Sequence, residues 1–176
     1  MGRREELGDA AIAVVSAAGL KGLTHRAVDT MAEVPAGTTS NYFRTRQALV
    51  DAVADRIEQR DLEVWAALGA PPETFEAFTH WLGAFARAMV VEHGELSRVR
   101  FSLFMADPDR YAPGHDRFLG SVAGALQLLG VEGSDVVAPA FLDYLDGVIL
   151  HGTTVRPHAV PTAEVIAANL ARLAGH

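Results

Sequence analysis

The chain contains no cysteine among its 176 residues, and this absence excludes several kinds of chemistry at once. Without thiols there is no disulfide, no thiolate metal site and no cysteine nucleophile. A chain without disulfides suits a reducing compartment, so we expect a cytoplasmic protein. No apolar run reaches the roughly 18 residues of a membrane-spanning helix, and there is no apolar core of a signal peptide. We therefore expect no membrane partner.

Enzyme motifs are also missing. The sequence holds no GxSxG segment, no phosphate-binding loop and no GxGxxG segment. Its seven histidines form no HExxH motif and no pair four residues apart. Asp143, Asp146 and His151 could approach a cation from one helix, but they fit better as a solvated or interfacial strip. We expect no metal, no cofactor and no enzymatic activity, and an enzyme is the least favoured alternative.

Charge is distributed unevenly along the chain. The formal net charge is −7, which by itself argues against nucleic-acid binding. Residues 1–50, however, carry six Arg and Lys against five acidic residues, so the excess of acid lies in the remainder. An acidic body repels DNA except where an N-terminal module turns its basic groups toward it.

Helical periodicity dominates what is present. Apolar residues recur every three or four positions in successive segments, and no stretch alternates for long enough to indicate a strand. Thr24 and Thr162 fit helix N-caps, and Gly19 fits the end of the first helix. The sequence therefore predicts an all-α fold of about nine helices.

Two short helical segments joined by a tight turn lie within residues 23–49. Val34 and Phe43 are expected to face inward and to hold the second of these helices in place. A helix that presents small polar side chains fits the major groove of DNA, where those side chains reach base edges and phosphates. The small polar residues of the second helix are Thr38, Thr39, Ser40 and Asn41. The segment predicts a helix-turn-helix module for double-stranded DNA; a helical hairpin that contacts other proteins is the alternative.

This segment resembles the TetR family of bacterial transcriptional regulators. The matching residues are Gly22, Leu23, Thr24, Arg26, Val28, Ala32, Val34, Gly37, Thr38, Tyr42, Phe43, Arg46 and Leu49. The resemblance implies an N-terminal helix-turn-helix domain in residues 1–46 and a helical ligand-binding and dimerisation domain in residues 47–176. It also implies a ligand-responsive regulator, a repressor in the leading hypothesis, that leaves its palindromic operator when a small molecule binds.

The resemblance further implies how the module meets DNA. Phosphate contacts set the register and the salt dependence of binding, while base contacts set the sequence preference. The implied phosphate contacts are Thr24, His25, Thr38, Tyr42 and Arg46. The implied base contacts are Arg26, Ala36, Gly37, Thr39, Ser40 and Asn41.

Three residues of this segment depart from the family pattern. Asp29 stands where alanine is common, Glu33 where glycine is common, and Pro35 where serine or threonine is the frequent cap of the next helix. We expect Glu33 to adopt a turn conformation that costs a non-glycine residue roughly 1–2 kcal/mol.

Aromatic residues are concentrated in the C-terminal body. Each one taken singly fits a core position, whereas the family resemblance implies that as a set they line a cavity for a small apolar or aromatic molecule. The candidate pocket residues are His80, Trp81, Phe85, Phe101, Phe104, Phe118, Phe141 and Tyr144.

The segment 134–151 is apolar over most of its circumference, which is typical of a helix buried on both sides. One side can pack on its own chain, and the other can pack with the last helix against a second copy. A two-fold homodimer presents two recognition helices to a palindromic site. The expected interface residues are Val137, Leu145, Val148, Ile149, Ile166, Leu170 and Leu173. A central helix in a monomer is the alternative.

Overall fold

The structure is a computed structural model that describes residues 2–176. Within that part of the chain the regular structure consists of nine helices and no strand, which confirms the predicted all-α fold. The helices are α1 (Arg3–Gly22), α2 (His25–Met31), α3 (Thr38–Tyr42), α4 (Arg46–Ala67), α5 (Phe75–Val91), α6 (Gly94–Ala106), α7 (Pro108–Leu128), α8 (Ser134–Thr153) and α9 (Ala163–Leu173).

Threonine side chains define where four helices begin. Thr24, Thr45, Thr74 and Thr162 each accept a hydrogen bond from the backbone N–H three residues later, at 3.1, 3.0, 3.3 and 3.4 Å respectively. Such a cap satisfies a donor that the first helical turn leaves unpaired. The caps predicted at Thr24 and Thr162 are confirmed. Gly19, the predicted end of the first helix, has a non-helical φ of 67° and breaks α1 before its last turn.

Tertiary contacts divide the chain into two compact units. The first unit runs to Leu62 and includes Arg98–Tyr111, and the second contains Glu63–Ser97 and Ala112–His176. The division falls inside α4, α6 and α7. The domain division expected from the sequence concerns binding roles rather than contacts, and it stays a prediction.

In the first unit, α1 supplies the central buried face, with α2 packed on α1 and α3 packed on α2. Arg56 of α4 donates to both carboxylate oxygens of Asp9 on α1 at 2.8 Å, which ties these two long helices together. Each fully buried aliphatic side chain stabilises the unit by roughly 1.5–3 kcal/mol. The side chains of this core include Leu7, Ala11, Val15, Leu23, Val28, Phe43, Leu49 and Val53.

In the second unit, α5 packs against both α8 and α9. A Cβ placed on Gly83 of α5 would lie 2.5 Å from the carbonyl oxygen of Ala163 at the start of α9, so the two backbones are in contact there. Arg87, one turn further along α5, donates to the carbonyl of Pro161 at 3.0 Å. The buried side chains of this unit include Phe78, Leu82, Met89, Leu126, Phe141, Leu145, Ile166 and Leu170.

Candidate nucleic-acid interface

The start of α2 is joined to the end of α3 through a histidine. The Nε2 of His25 donates to the backbone carbonyl of Phe43 at 2.5 Å. The next residue, Arg26, is exposed, and so is Thr24, although its hydroxyl oxygen is already used to cap α2. The helices α2 and α3 are therefore held together, and their outer surface carries these polar side chains.

The turn between α2 and α3 contains two residues in the left-handed region. Glu33 has a φ of 53° and Gly37 a φ of 91°. The strained conformation expected at Glu33 is thus confirmed. The backbone N–H of Val34 donates to the carbonyl of Asp29 at 3.0 Å and closes the turn. Val34 is only partly buried, whereas Phe43 is buried as predicted.

A buried carboxylate on α2 holds the beginning of α3. Asp29 is 4% exposed. Its Oδ2 accepts from the N–H of Gly37 at 2.7 Å, and its Oδ1 accepts from the N–H of Thr39 at 2.7 Å and from the Thr39 hydroxyl at 2.5 Å. Burial raises the pKa of Asp29, but the bonds from Thr39 and Gly37, with the charge of His25, outweigh it and lower that pKa below its ordinary value.

This arrangement corrects the expectation for Thr39. Its side chain is fully buried and its hydroxyl is bonded to Asp29, so it does not reach a base edge. The sequence pattern placed it on the outer face because a helix of five residues with successive hydroxyl side chains has no apolar stripe to define its inner side. Asp29 was identified only as a departure from the family pattern, and its capping role was missed.

The remaining polar residues of the recognition segment lie on its outer side. Asn41 and Tyr42 are exposed, and Thr38 and Ser40 are partly exposed. The Ser40 hydroxyl donates to the carbonyl of Gly37 at 2.8 Å, and the Thr38 hydroxyl donates to that of Pro35 at 2.6 Å. Hydroxyls bonded in this way keep lone pairs that accept further hydrogen bonds. The surface formed by Thr38, Ser40, Asn41 and Tyr42 is called the α3 outer face below.

Arg46, predicted to bind phosphate, is engaged within its own unit. Its guanidinium donates to the carbonyl of Leu20 at 2.6 Å and also to the carbonyl of Leu23. Leu20 lies in the last turn of α1 and Leu23 is its C-cap residue, so Arg46 acts as a cationic cap for the end of that helix. The residue is exposed, and a guanidinium has five N–H donors, so phosphate contact through the remaining donors stays a prediction.

In the second unit, three of the predicted pocket residues come together around a fourth aromatic residue. The ring of Trp65 is stacked on Phe85 with centroids 4.0 Å apart, and lies 4.4 Å from Trp81 and 5.1 Å from Phe118. The Trp81 indole N–H donates to the carbonyl of Leu68 at 3.2 Å. Trp65, Trp81, Phe85 and Phe118 are called the aromatic cluster below. Trp65 lies near the end of α4 and was not among the candidate pocket residues.

The other candidate pocket residues are placed differently. His80 is exposed, and Phe141 is fully buried among the core side chains of its unit. The hydroxyl of Tyr144 accepts from Asn169 at 2.8 Å, which links α8 to α9. The two remaining candidates, Phe101 and Phe104, belong to the first unit and meet edge to face. Phe141 is thus a core residue of its unit, and a pocket role for His80 and Tyr144 stays a prediction.

Most of the predicted dimer residues are covered by their own chain. Leu145, Val148, Ile149, Ile166 and Leu170 are all buried within the second unit. They belong to the faces of α8 and α9 that pack inward, so they are not available to a second copy. Of the predicted set, Val137 is partly exposed and Leu173 is 46% exposed. The exposed apolar residues of the same two helices are Val136, Leu150, Val165 and Leu173.

Two further expectations concern metals and membranes. In residues 2–176, no group of three or more His, Asp and Glu side chains is arranged to hold a metal ion. Over the same range, no helix combines the length and the apolar character needed to cross a bilayer.

No protein-family profile matches the chain, and neither does any curated protein sequence. Solved structures do match. A TetR-family member from Streptomyces coelicolor A3 is 27% identical, with a TM-score of 0.79 over 98% of both chains. The multidrug binding protein EbrR, solved with ethidium, is 26% identical, with a TM-score of 0.72 over 98% of both chains. A TetR-like transcriptional regulator from Rhodococcus sp. RHA1 shares the fold at 21% identity, with a TM-score of 0.75 over 99% of this chain and 96% of the other.

The matches extend over nearly the whole of each chain, so they include the C-terminal body, where the sequence alone offered no motif. They also cover the N-terminal segment from which the resemblance was first drawn. The chain therefore has the fold of the TetR family of transcriptional regulators, as its sequence indicated.

Proposed function

We propose that this chain is a DNA-binding transcriptional regulator that acts in the cytoplasm as a homodimer on a palindromic operator. The observation that carries the proposal is the α3 outer face. A short helix with buried Thr39 and Phe43 on its inner side presents amide, hydroxyl and phenol groups outward. Asparagine pairs with adenine through two hydrogen bonds, so Asn41 is the leading base-reading residue of the set.

The distribution of charge supports a DNA contact through the first unit. That unit carries eleven basic and eleven acidic residues, whereas the second carries four Arg against eleven acidic residues. Several arginines of the first unit are paired with carboxylates, but Lys21, Arg26 and Arg44 are exposed. We expect Lys21 and Arg44 to supply phosphate contacts that fix register on the duplex, beside the base contact implied for Arg26.

The homodimer is proposed to form through the outward faces of α8 and α9. Val136 and Leu150 on α8 are 71% and 37% exposed, and Val165 and Leu173 on α9 are 50% and 46% exposed. Apolar side chains on two helices of one unit form the kind of surface that a second copy covers in a two-fold interface. This set replaces the inward-facing residues that the sequence pattern had suggested.

The effector is proposed to be a planar aromatic molecule that binds at the aromatic cluster, and its binding releases the operator. Stacked rings offer further faces to such a molecule, and an acidic second unit favours one with positive charge. EbrR, a structural neighbour, has been solved with ethidium, proflavin and malachite green. Release requires that the effector bind more tightly to the conformation with low DNA affinity.

The DNA part of the proposal is tested by selection from a random-sequence duplex pool. The wild-type protein should enrich a sequence with two-fold symmetry, and Asn41→Ala should bind the enriched duplex at least roughly tenfold more weakly. Gln47→Ala, on the first turn of α4, is a control that should bind almost as wild type. Failure of the wild-type protein to enrich any sequence at low salt would remove the proposal.

The effector part is tested by tryptophan fluorescence. Both tryptophans of the chain lie in the aromatic cluster, so their emission reports directly on that site. Titration with ethidium or proflavin should quench the emission, and Phe118→Ala should weaken the binding. Phe75→Ala, whose ring contacts His176 instead, is the matched control. Quenching that is identical in wild type and Phe118→Ala would contradict this site.

A further inference from the structure

Asp29 is the one acidic residue of the helix-turn-helix segment that is buried, and nothing in the proposed DNA contacts uses it. A buried carboxylate is costly unless it is hydrogen-bonded on both oxygens. Here each oxygen is satisfied by groups of the α3 segment, with Gly37 on one and Thr39 on the other. The carboxylate of α2 therefore binds the backbone N–H groups of Gly37, the N-cap residue of α3, and of Thr39 in its first turn.

The bonds from Asp29 supply what the local sequence of α3 lacks. The residue at its N-cap position is Gly37, which has no side chain and makes no side-chain cap bond. Pro35 has no side-chain acceptor either, and five residues are too few for a helix to be stable by itself. The orientation of α3 must come from tertiary contacts, and Asp29 provides three of the shortest ones.

We propose that Asp29 is a positioning residue for DNA reading: from inside the module, it sets the placement of α3 and so the placement of Ser40 and Asn41 against base edges. This inference rests on the proposed DNA-binding function. Asp29 touches no DNA in this scheme. It determines how well the module distinguishes its operator from other sequences, because base contacts depend on the placement of α3 more than phosphate contacts from other helices do.

Two substitutions separate this role from a general effect of charge. In Asp29→Asn the amide oxygen still accepts from Thr39, whereas the amide nitrogen faces the Gly37 N–H and cannot accept from it. In Asp29→Ala all three bonds are lost. If Asp29 acts by positioning α3, the affinity for the operator should be highest for wild type, lower for Asp29→Asn and lowest for Asp29→Ala. A charge effect predicts that the two variants behave alike and bind every duplex more tightly, because each removes one negative charge from the DNA-binding module.

The binding experiment uses the full chain and two duplexes of equal length, one enriched by the wild-type protein from a random pool and one scrambled. For Asp29→Ala we expect affinity for the enriched duplex to fall by roughly tenfold or more, because donors at the start of α3 lose their partner. Affinity for the scrambled duplex should stay within about twofold of wild type, because phosphate contacts remain. Asp55→Ala, which removes an exposed carboxylate from α4, should match wild type on both.

Amide hydrogen exchange of residues 37–43 gives a readout that needs no DNA. Exchange there should accelerate in Asp29→Ala and less in Asp29→Asn, with the peptides of α5 and α9 unchanged. Unchanged exchange at 37–43, or equal loss on both duplexes, would overturn the inference. If the wild-type protein enriches no duplex, the proposed function fails, and the exchange result still decides whether Asp29 holds α3.

Discussion

At the scale of single residues, the DNA-binding module combines a strained backbone in the turn after α2 with a buried charge on α2 itself. Glu33 adopts a conformation that glycine adopts freely, and Asp29 fills a position where a small apolar residue is common in the family. Glu33 and Asp29 change the free energy of unfolding in opposite directions. The left-handed φ of Glu33 costs free energy, while the hydrogen bonds of Asp29 offset part of that cost by fixing the helix that follows.

Replacing Glu33 with glycine should stabilise the protein. Removing the Cβ relieves the left-handed strain, and the larger conformational entropy of glycine in the unfolded chain cancels part of the gain. We expect the free energy of unfolding to rise by about 0.5–1 kcal/mol, measured by urea denaturation. Glu33→Ala keeps the Cβ and should show no such gain; an equal rise in both variants would contradict strain as the cause.

Asp29 should make stability sensitive to acid. Its folded-state pKa lies below the ordinary value of 3.8, so ionised Asp29 contributes stability above about pH 4. That contribution is lost as the pH falls through the lowered folded-state pKa. The stability difference between wild type and Asp29→Asn should therefore be largest near neutral pH and shrink as the pH falls below the ordinary carboxyl pKa, as measured by urea midpoints. A difference that is constant over this range would contradict an ionised cap.

The placement of single side chains was also the hardest feature to predict from the sequence. The positive φ at Glu33 was predictable, because the family places glycine there and the chain path must be kept. The burial of Thr39 was not, because α3 has three consecutive hydroxyl residues and no apolar pattern to distinguish its faces. Only the partner of Thr39 shows which side is inside, and that partner lies ten residues away on another helix.

At the scale of elements, helix ends were predicted well because they depend on local chemistry. Threonine caps and helix-breaking glycines act on backbone groups within a few residues of themselves, so the sequence contains the whole cause. The side of each helix that is buried was predicted less well. α8 is apolar nearly all round, and its sequence does not say which side its own chain covers. The inward side turned out to hold Leu145 and Ile149, while Val136 and Leu150 are left outside.

The contact of α5 with α9 gives a prediction at the same scale. Gly83→Ala should lower the free energy of unfolding by about 1–3 kcal/mol, because the new methyl group would meet the backbone oxygen of Ala163. Gly120→Ala is the control. A Cβ at Gly120 meets no atom within 4 Å, and alanine favours the helix by up to about 1 kcal/mol. Thermal unfolding followed by circular dichroism distinguishes the two, and a neutral Gly83→Ala would contradict the close helix contact.

For the whole molecule, the two compact units differ in charge in the way their proposed roles require. The acidic excess of the chain lies in the second unit, so the first unit can approach a polyanion while the second does not attract it. Uneven charge along the sequence already indicated this division. The sequence could not indicate where the division of contacts falls, because α4, α6 and α7 each contain a boundary.

Dimerisation is the prediction that belongs to this scale. Val165→Lys places a charge on the proposed interface and should convert a dimer into a monomer, because the ammonium group would have to be desolvated on association. Light scattering during size-exclusion chromatography measures the mass. Leu128→Lys alters an apolar residue that is 90% exposed on α7 and should leave the dimer intact. A wild-type protein that runs as a monomer at high micromolar concentration would contradict the interface.

The most direct test of DNA reading by α3 compares the sequence preferences of wild type and Asn41→Ala, position by position, in the same random-pool selection. Loss of an amide that pairs with one base should relax the preference at one position in each half-site, by about 1–3 kcal/mol, and leave the other positions unchanged. Two identical preference profiles would mean that the outer face of α3 does not read the bases.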